Sequence, residues 1–83
     1  MLTEYIVGAM QQATYELLPE DEGYYGEIAA LSGVWANAPT LDLCREELRE
    51  ILEGWILVGV KLGHPLPIIA GIDLNAPLVT ETV

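Results

Sequence analysis

The stretch TLDLCREELREILEGWILVGVKLG, residues 40–63, sets the architecture of this chain. Thr40 is a typical N-cap residue, and Gly63 followed by Pro65 is a typical signal for the end of a helix. Between them, apolar residues recur at spacings of three and four, which predicts one long amphipathic helix. The residues of this stripe are Leu41, Cys44, Leu48, Ile51, Leu52, Trp55, Val58, Gly59 and Leu62.

The two halves of the predicted helix differ in polarity. In the first half, the side opposite the stripe is mainly acidic, with Asp42, Glu46, Glu47, Glu50 and Glu53. In the second half, Ile56, Leu57 and Val60 fall outside the stripe, so the helix is apolar almost all round. We therefore expect other elements or another subunit to cover both sides of its C-terminal half.

Upstream of the long helix, the sequence predicts a short helix over 3–13 and three short strands over 14–18, 24–31 and 34–38. The helix has an apolar stripe at helical spacing, and the strands are short β-favouring segments, the first of them alternating, bounded by Pro and Gly. The acidic run 20–23 ends in glycine and reads as the turn of an antiparallel hairpin.

A last strand is predicted over 68–74, after Pro65 and Pro67, and residues 75–83 read as a tail. The first three strands form a meander, and a right-handed crossover through the long helix puts the last strand beside the first. The expected fold class is therefore α+β, an N-terminal helix followed by β-β-β-α-β with sheet order 3-2-1-4. We expect one domain over 1–83, with its core in 14–74.

The composition excludes several classes of function. The 83 residues carry 3 Lys and Arg against 13 Asp and Glu, a formal net charge of -10. Phosphate contacts need cations, so this balance argues against direct binding to DNA, RNA or anionic lipid and suits a basic partner. Hydrophobic residues make up 52% of the chain, which excludes disorder. So small a domain covers its apolar surface poorly, and we expect a homo-oligomer.

Membrane insertion and secretion are not expected. The longest strictly apolar stretch, 55–58, is far shorter than the roughly 20 residues of a membrane span. A basic segment followed by an apolar one, as in a signal peptide, is missing at the N-terminus. Cys44 is the single cysteine and is interpreted as a buried thiol, so we expect a cytoplasmic protein.

No catalytic residue, metal or cofactor is predicted. His64 follows the long helix, where a cation is favoured, and has no second base or nucleophile at useful spacing. One His and one Cys cannot supply a zinc site. Glu16, Asp73 and either Glu46 or Glu47 could gather around Mg²⁺ as in a metal-dependent nuclease, which is kept as a remote alternative.

The central part of the chain resembles the HicB-like antitoxin family. That family typically combines an aromatic-x-[AG]-Glu-[IV] strand, a Leu-Pro-Gly turn, a Thr-[LP]-Glu-Glu-Ala helix start and a Gly-x-x-[IL]-Pro exit. The order and spacing of these motifs carry the resemblance, which spans about residues 14–74. The stretches that carry it here are Tyr24-Tyr25-Gly26-Glu27-Ile28, Leu31-Ser32-Gly33-Val34-Trp35-Ala36, Thr40-Leu41 followed by the helix with Glu46-Glu47-Leu48, and Gly63-His64-Pro65-Leu66-Pro67.

The resemblance implies a partial ribonuclease H-like fold without the ribonuclease active site. It also implies a partner, since family members bind and block HicA-type toxins, which are small, basic, RNA-cleaving proteins. Ser32 stands where the family often has Pro, and Leu43-Cys44 stand where it has Glu and Ala. Residues 75–83 are too short for the DNA-binding segment of many members, so we expect a solitary short member that does not bind its own operator.

Two sets of surface residues follow as hypotheses. The first is a partner-binding set in which carboxylates steer a basic toxin and aromatic rings anchor it. Its members are Glu20, Asp21, Glu22, Tyr25, Trp35, Glu46 and Glu50. The second is an oligomer interface, also expected if the chain is an orphan binding module of unknown ligand. Its members are Tyr5, Ile6, Met10, Ile56, Leu57 and Val60.

Overall fold

The structure, a computed structural model, describes residues 2–74 and shows a helix, three antiparallel strands and a second, longer helix. This agrees with the predicted α+β class, and the predicted tail 75–83 lies outside the described residues. In residues 2–74, no helix is both long and apolar enough to cross a membrane. The elements are α1 (Leu2–Gln11), β1 (Thr14–Leu17), β2 (Tyr24–Glu27), β3 (Trp35–Ala38) and α2 (Leu41–Leu62).

The sheet has the order β1-β2-β3, with β2 in the centre. Since side chains alternate between the faces of a strand, the register assigns every side chain to one of the two faces. On β3, Ala36 and Ala38 are buried while Trp35 and Asn37 are exposed, which distinguishes the covered face from the open one. We call the open face the outer sheet face. Its members are Thr14, Glu16, Tyr25, Glu27, Trp35 and Asn37.

Helix α2 packs on the inner sheet face and carries the centre of the core. The side chains of Cys44, Leu48 and Leu52 are fully buried, and α1 adds Tyr5 and Ala9. At Gly26 the sheet lies close to α2, since a Cβ there would be 2.8 Å from Tyr15 Cδ1 and 3.1 Å from Cys44 Sγ. Close contact between sheet and helix therefore depends on a glycine at this position.

Both ends of α2 form as the sequence predicts. The Thr40 hydroxyl accepts a hydrogen bond from the Leu43 amide at 3.2 Å, which satisfies one of the first unpaired amides of the helix. Gly63 has φ +73°, a left-handed conformation that glycine adopts without the steric cost of a Cβ. The backbone amide of His64 then bonds the carbonyl of Gly59 at 2.9 Å.

The second strand is shorter than predicted, because β2 ends at Glu27 rather than continuing to residue 31. Residues 28–34 fold into a compact turn in which the Leu31 amide bonds the Ile28 carbonyl and the Val34 amide bonds the Leu31 carbonyl. Ile28, Leu31 and Val34 are all buried. Apolar side chains of this kind are typical of a strand, but here they fill part of the hydrophobic core from a turn.

The predicted strand over 68–74 is wrong. Ile69 and Ile72 exchange two backbone hydrogen bonds, 3.1 and 2.7 Å long, across a tight turn. Ala70 and Gly71 form its centre with φ +51° and +77°, so the chain reverses after two residues. Residues 68–74 therefore do not fill the place beside β1, and the sheet order 3-2-1-4 is not seen in residues 2–74.

Candidate partner-binding surface

An aromatic pair occupies the outer sheet face. The rings of Tyr25 and Trp35 are stacked, with centroids 6.0 Å apart and 26° between their planes. They belong to neighbouring strands and are diagonal partners in the register, a geometry in which large rings can touch. The Trp35 side chain remains 53% exposed. An indole held at a fixed position and open to solvent is typical of an interface anchor.

Two carboxylates flank this pair on the same face. Glu27 lies directly across from Trp35, and Glu16 lies directly across from Tyr25. The Tyr25 hydroxyl donates a hydrogen bond to Glu27 Oε1 at 3.0 Å. This hydrogen bond to Glu27, followed by desolvation and the negative charges of Glu27 and Glu16, raises the pKa of Tyr25 above its ordinary value.

The acidic turn 19–22 adds three exposed carboxylates at one end of the sheet. The Glu22 amide bonds the Pro19 carbonyl at 3.2 Å, and Glu20 and Asp21 both have φ +58°. Left-handed backbone is unfavourable for residues with a Cβ, so two successive examples are an uncommon arrangement. Glycine or asparagine would adopt this backbone at a lower cost in free energy, yet the turn carries Glu20 and Asp21 at these positions.

Asn37 connects the acidic turn to the outer sheet face. Its side-chain amide donates to the Tyr24 carbonyl at 2.8 Å and to the Glu22 carbonyl at 3.3 Å. These bonds hold the end of the turn against β3. The backbone of the turn and the strand that carries Trp35 are therefore held together by the sheet and by one amide side chain.

The cations of the chain are on the other side of the molecule. All three Lys and Arg residues, Arg45, Arg49 and Lys61, belong to α2, which covers the inner sheet face. The Arg49 Nε atom pairs with Glu53 of the same helix at 3.3 Å. The outer sheet face and the acidic turn thus form one surface that carries negative charge and no Lys or Arg.

The predicted partner-binding residues divide between two surfaces. Tyr25 and Trp35 lie on the outer sheet face, close to the turn that carries Glu20, Asp21 and Glu22. Glu46 and Glu50 are exposed on α2, in the other layer of the fold. The sheet-side set consists of Glu20, Asp21, Glu22, Tyr25 and Trp35.

Sequence reasoning leaves two residues of this surface out of the set. The alternation of side chains along the strands puts Glu16 and Glu27 on one face of the sheet. It does not say whether the helix covers that face or leaves it open. The spacing of Tyr25 and Glu27, two apart on one strand, could have joined them, because such residues share a face. Glu16 needed the register of β1 on β2, which only the structure supplies.

An apolar groove lies between α1 and α2, with a volume of about 540 Å³. Of the predicted oligomer residues, Ile6, Ile56, Leu57 and Val60 line it. Leu57 and Val60 are 67% and 58% exposed, whereas Ile56 is buried in the core of the chain, so its prediction as an interface residue is wrong. Tyr5 is fully buried as well. The groove is completed by Leu2, Glu53 and Leu74.

The remaining predicted oligomer residue and Tyr5 have other surroundings. The Tyr5 hydroxyl donates to the Pro67 carbonyl at 2.7 Å, which joins α1 to the segment after α2. Met10 is partly buried and borders a neighbouring depression with Arg45 and Arg49. Tyr5 therefore contributes to the core of one chain, and the exposed apolar side chains of the groove include Leu2, Leu57 and Val60.

The candidate chemical groups are separated in the structure. Cys44 is a free, buried thiol, and burial, followed by the charge of Glu47, raises its pKa above the ordinary value. Glu16 is on the outer sheet face, Glu46 on α2 and Asp73 beyond the turn at Ile72. Across residues 2–74, no three His, Cys, Asp or Glu side chains come close enough together to hold a metal ion.

Comparisons with known proteins show a family and a similar solved structure. A family model described as UPF0150-like matches residues 4–67. The crystal structure of TTHA0281 from Thermus thermophilus is similar with a TM-score of 0.84 and 39% sequence identity, over 92% of this chain and 94% of that chain. The curated proteins give no match. The described architecture is therefore shared with a solved protein over nearly its whole length.

Proposed function

We propose that this chain, which belongs to the UPF0150-like family, is a non-enzymatic, antitoxin-like protein of the HicB-like type. It binds a small, basic, RNA-cleaving protein of the HicA type and blocks it by covering its active site. The partner's RNA-binding surface must be cationic to hold phosphates, and an acidic protein can compete for that surface. The chain itself supplies binding and no chemistry.

The observation that supports this proposal best is the composition of the outer sheet face with the acidic turn. Exposed carboxylates raise the rate of encounter with a basic protein, and an exposed aromatic pair supplies anchors once the surfaces meet. Both are present, and the three Lys and Arg residues of the chain are on α2. A solubility role alone would not require Tyr25 and Trp35 to be stacked in the middle of the charged face.

The relation to a partial ribonuclease H-like fold is part of the same proposal. The order of three strands and a helix matches the first four elements that the resemblance implies. The motif residues 24–28 and 40–41 lie at β2 and at the start of α2, where the family pattern requires a strand and a helix start. A buried single thiol, Cys44, is compatible with a reducing compartment, and we propose that the protein acts in the cytoplasm.

Affinity capture from the native host tests the proposal. The immobilised chain is incubated with host extract at low salt, where electrostatic attraction between protein surfaces is weakly screened. We expect a small basic protein to be retained and to be released as the salt concentration rises. Glu27→Gln, which removes a carboxylate from the outer sheet face, should weaken this retention, and the matched control Glu47→Gln, which removes one from α2, should not. Recovery of no basic protein would contradict the proposal.

A second proposal, that the chain is a homo-oligomer, is favoured by the groove between α1 and α2. Its exposed residues Leu57 and Val60 project from the half of α2 that is apolar almost all round. Burial of such side chains is worth about 1.5–3 kcal/mol each, and a twofold contact would bury them on two chains at once. The occupant we propose is therefore a second copy of this chain.

Light scattering at micromolar concentration measures this association. We expect the wild-type protein to have twice the mass of the chain and Leu57→Gln with Val60→Gln to have the mass of a monomer. Leu17→Gln is the matched control, because Leu17 on β1 is 67% exposed, as Leu57 is. A monomeric wild-type protein, or equal loss of mass in the control, would contradict the groove as the interface.

A further inference from the structure

We propose that the outer sheet face binds an arginine side chain of a basic protein, with its guanidinium stacked on Trp35 and paired with Glu27. This inference deepens the proposed function, because it names the chemical group that the partner presents to this surface. It rests on the positions of Trp35 and Glu27 on neighbouring strands. It also rests on Tyr25, which stacks on Trp35 and donates a hydrogen bond to Glu27.

The first step of the argument is the position of the indole. Trp35 is stacked on Tyr25, which restricts its ring, and its side chain is 53% exposed. The indole ring is the strongest cation–π acceptor among the side chains. The contact with Tyr25 already restricts the indole in the free protein. Binding of a cation therefore orders it less, and the loss of conformational entropy is smaller.

The second step is the carboxylate that faces the same place. Glu27 is the direct cross-strand partner of Trp35, so its carboxylate and the indole start from adjacent positions on one face. The Tyr25 hydroxyl donates to Glu27 Oε1 at 3.0 Å, which orients the carboxylate. Its other oxygen can accept an N–H donor from a guanidinium that lies on the indole. Glu16, across from Tyr25, adds a second negative charge.

The third step selects the ligand. A guanidinium is planar, so it can stack on the indole and bond a carboxylate at its edge, whereas the ammonium of lysine is a strongly hydrated point charge. Nucleic acid and anionic lipid are disfavoured, because Glu16 and Glu27 would repel phosphate. The three Lys and Arg residues of the chain itself lie on α2, in the other layer of the fold, so the cation has to come from another molecule.

Peptide titration followed by NMR tests the inference on the full chain. The probes are three blocked peptides in which glycine alternates with arginine, lysine or citrulline, the neutral isostere of arginine. The chain has two Trp residues, so the indole N–H of Trp55 on α2 is an internal reference for that of Trp35. We expect the arginine peptide to shift the Trp35 indole and outer-face amides, the lysine peptide to bind at least about threefold more weakly, and the citrulline peptide to have no effect.

Three variants locate the binding. Trp35→Leu and Glu27→Gln should each weaken the arginine peptide by about fivefold or more, because each removes one half of the site. Glu47→Gln, which makes the same charge change at an exposed position of α2, should stay within about twofold of wild type. Glu27→Gln changes no buried residue, so the test stands even if the Trp35 variant does not fold.

Several results would overturn the inference. They are equal weakening by Glu47→Gln, equal affinity of the arginine and lysine peptides, or shifts centred on Trp55. A change of mass by light scattering in Trp35→Leu would show that a second copy occupies this face instead. The inference and the proposed function can fail separately. Arginine binding without a basic partner from the host would contradict the function alone, and unaltered partner binding by Glu27→Gln and Trp35→Leu would contradict this site alone.

Discussion

At the residue scale, substitution by alanine should have opposite effects on stability at Gly26 and Gly54. A Cβ at Gly26 would be 2.8 Å from Tyr15, its partner on β1, and 3.1 Å from Cys44 on α2. At Gly54, in the middle of α2, no atom beyond the neighbouring backbone of the helix itself lies within 4 Å of such a Cβ. The first glycine is required by packing, while the second only weakens its helix.

We therefore expect Gly26→Ala to lower the free energy of unfolding by roughly 1–3 kcal/mol, because the core is overpacked. Gly54→Ala should raise it by about 0.5–1 kcal/mol, because alanine loses less backbone entropy in a helix. Urea unfolding followed by circular dichroism measures both. Effects of the same sign would contradict the close approach of sheet and helix at Gly26.

The hydroxyl of Tyr25 provides a prediction about pH. Its hydrogen bond to Glu27, with desolvation and the charges of Glu27 and Glu16, raises its pKa above the ordinary 10.0. A raised pKa of this kind contributes stability that is fully present below pH 10 and is lost as the pH rises through the pKa of the folded state. Glu27→Gln removes the charged acceptor, so the pKa of Tyr25 should fall.

NMR titration of the Tyr25 ring carbon in wild type and Glu27→Gln measures this change. Glu46→Gln is the control, since it removes a carboxylate from α2 and should leave the titration of Tyr25 where it is. An unchanged pKa in Glu27→Gln would show that the hydrogen bond at 3.0 Å does not hold Glu27 in solution. It would also remove the support for the orientation of that carboxylate.

At the scale of elements, α2 depends on its first turn. The Thr40 hydroxyl accepts from the Leu43 amide, and Asp42 adds negative charge near the helix N-terminus. Thr40→Ala should lower the free energy of unfolding by about 0.5–2 kcal/mol, and Thr40→Ser should retain most of it because the hydroxyl remains. Thermal or urea unfolding of the pair measures the difference. An equal loss in both would mean that the cap contributes nothing.

The elements also show which patterns are sufficient for prediction. The apolar stripe of α2 extends over 22 residues with a capping threonine and a terminal glycine, and its bounds follow directly from the sequence. The strands are only four residues long, too short for alternation to fix their ends. Ile28 and Val34 look like strand residues because they are apolar, yet they are buried in a turn. Burial alone does not determine backbone conformation.

The segment after α2 illustrates a second limit. Ile69 and Ile72 would suit a strand, but the two residues between them adopt left-handed backbone, and the chain turns back. Glycine favours such a turn and alanine does not, so the sequence carries a mixed signal at Ala70-Gly71. The turn is consistent with the anchoring of this segment on α1 by the Tyr5 hydroxyl, a contact between residues far apart in the sequence.

At the scale of the whole molecule, the two layers separate the charges. Carboxylates occur on both layers, but Arg45, Arg49 and Lys61 belong to α2 alone, so the sheet side is the more uniformly negative. The net charge of -10 predicts a basic partner without saying where it binds. Assigning Glu16 to the same face as Tyr25 required the strand register, and identifying that face as the open one required the position of α2. Neither is encoded in a pattern local to one strand.

The measurement that tests the proposed function most directly is RNA cleavage by the captured basic protein, titrated with this chain. We predict that cleavage stops at an equimolar ratio, that Glu27→Gln and Trp35→Leu shift the titration to higher concentration, and that Glu47→Gln does not. Cleavage that continues in the presence of excess wild-type chain would contradict the claim that this protein acts by covering a basic RNA-cleaving partner.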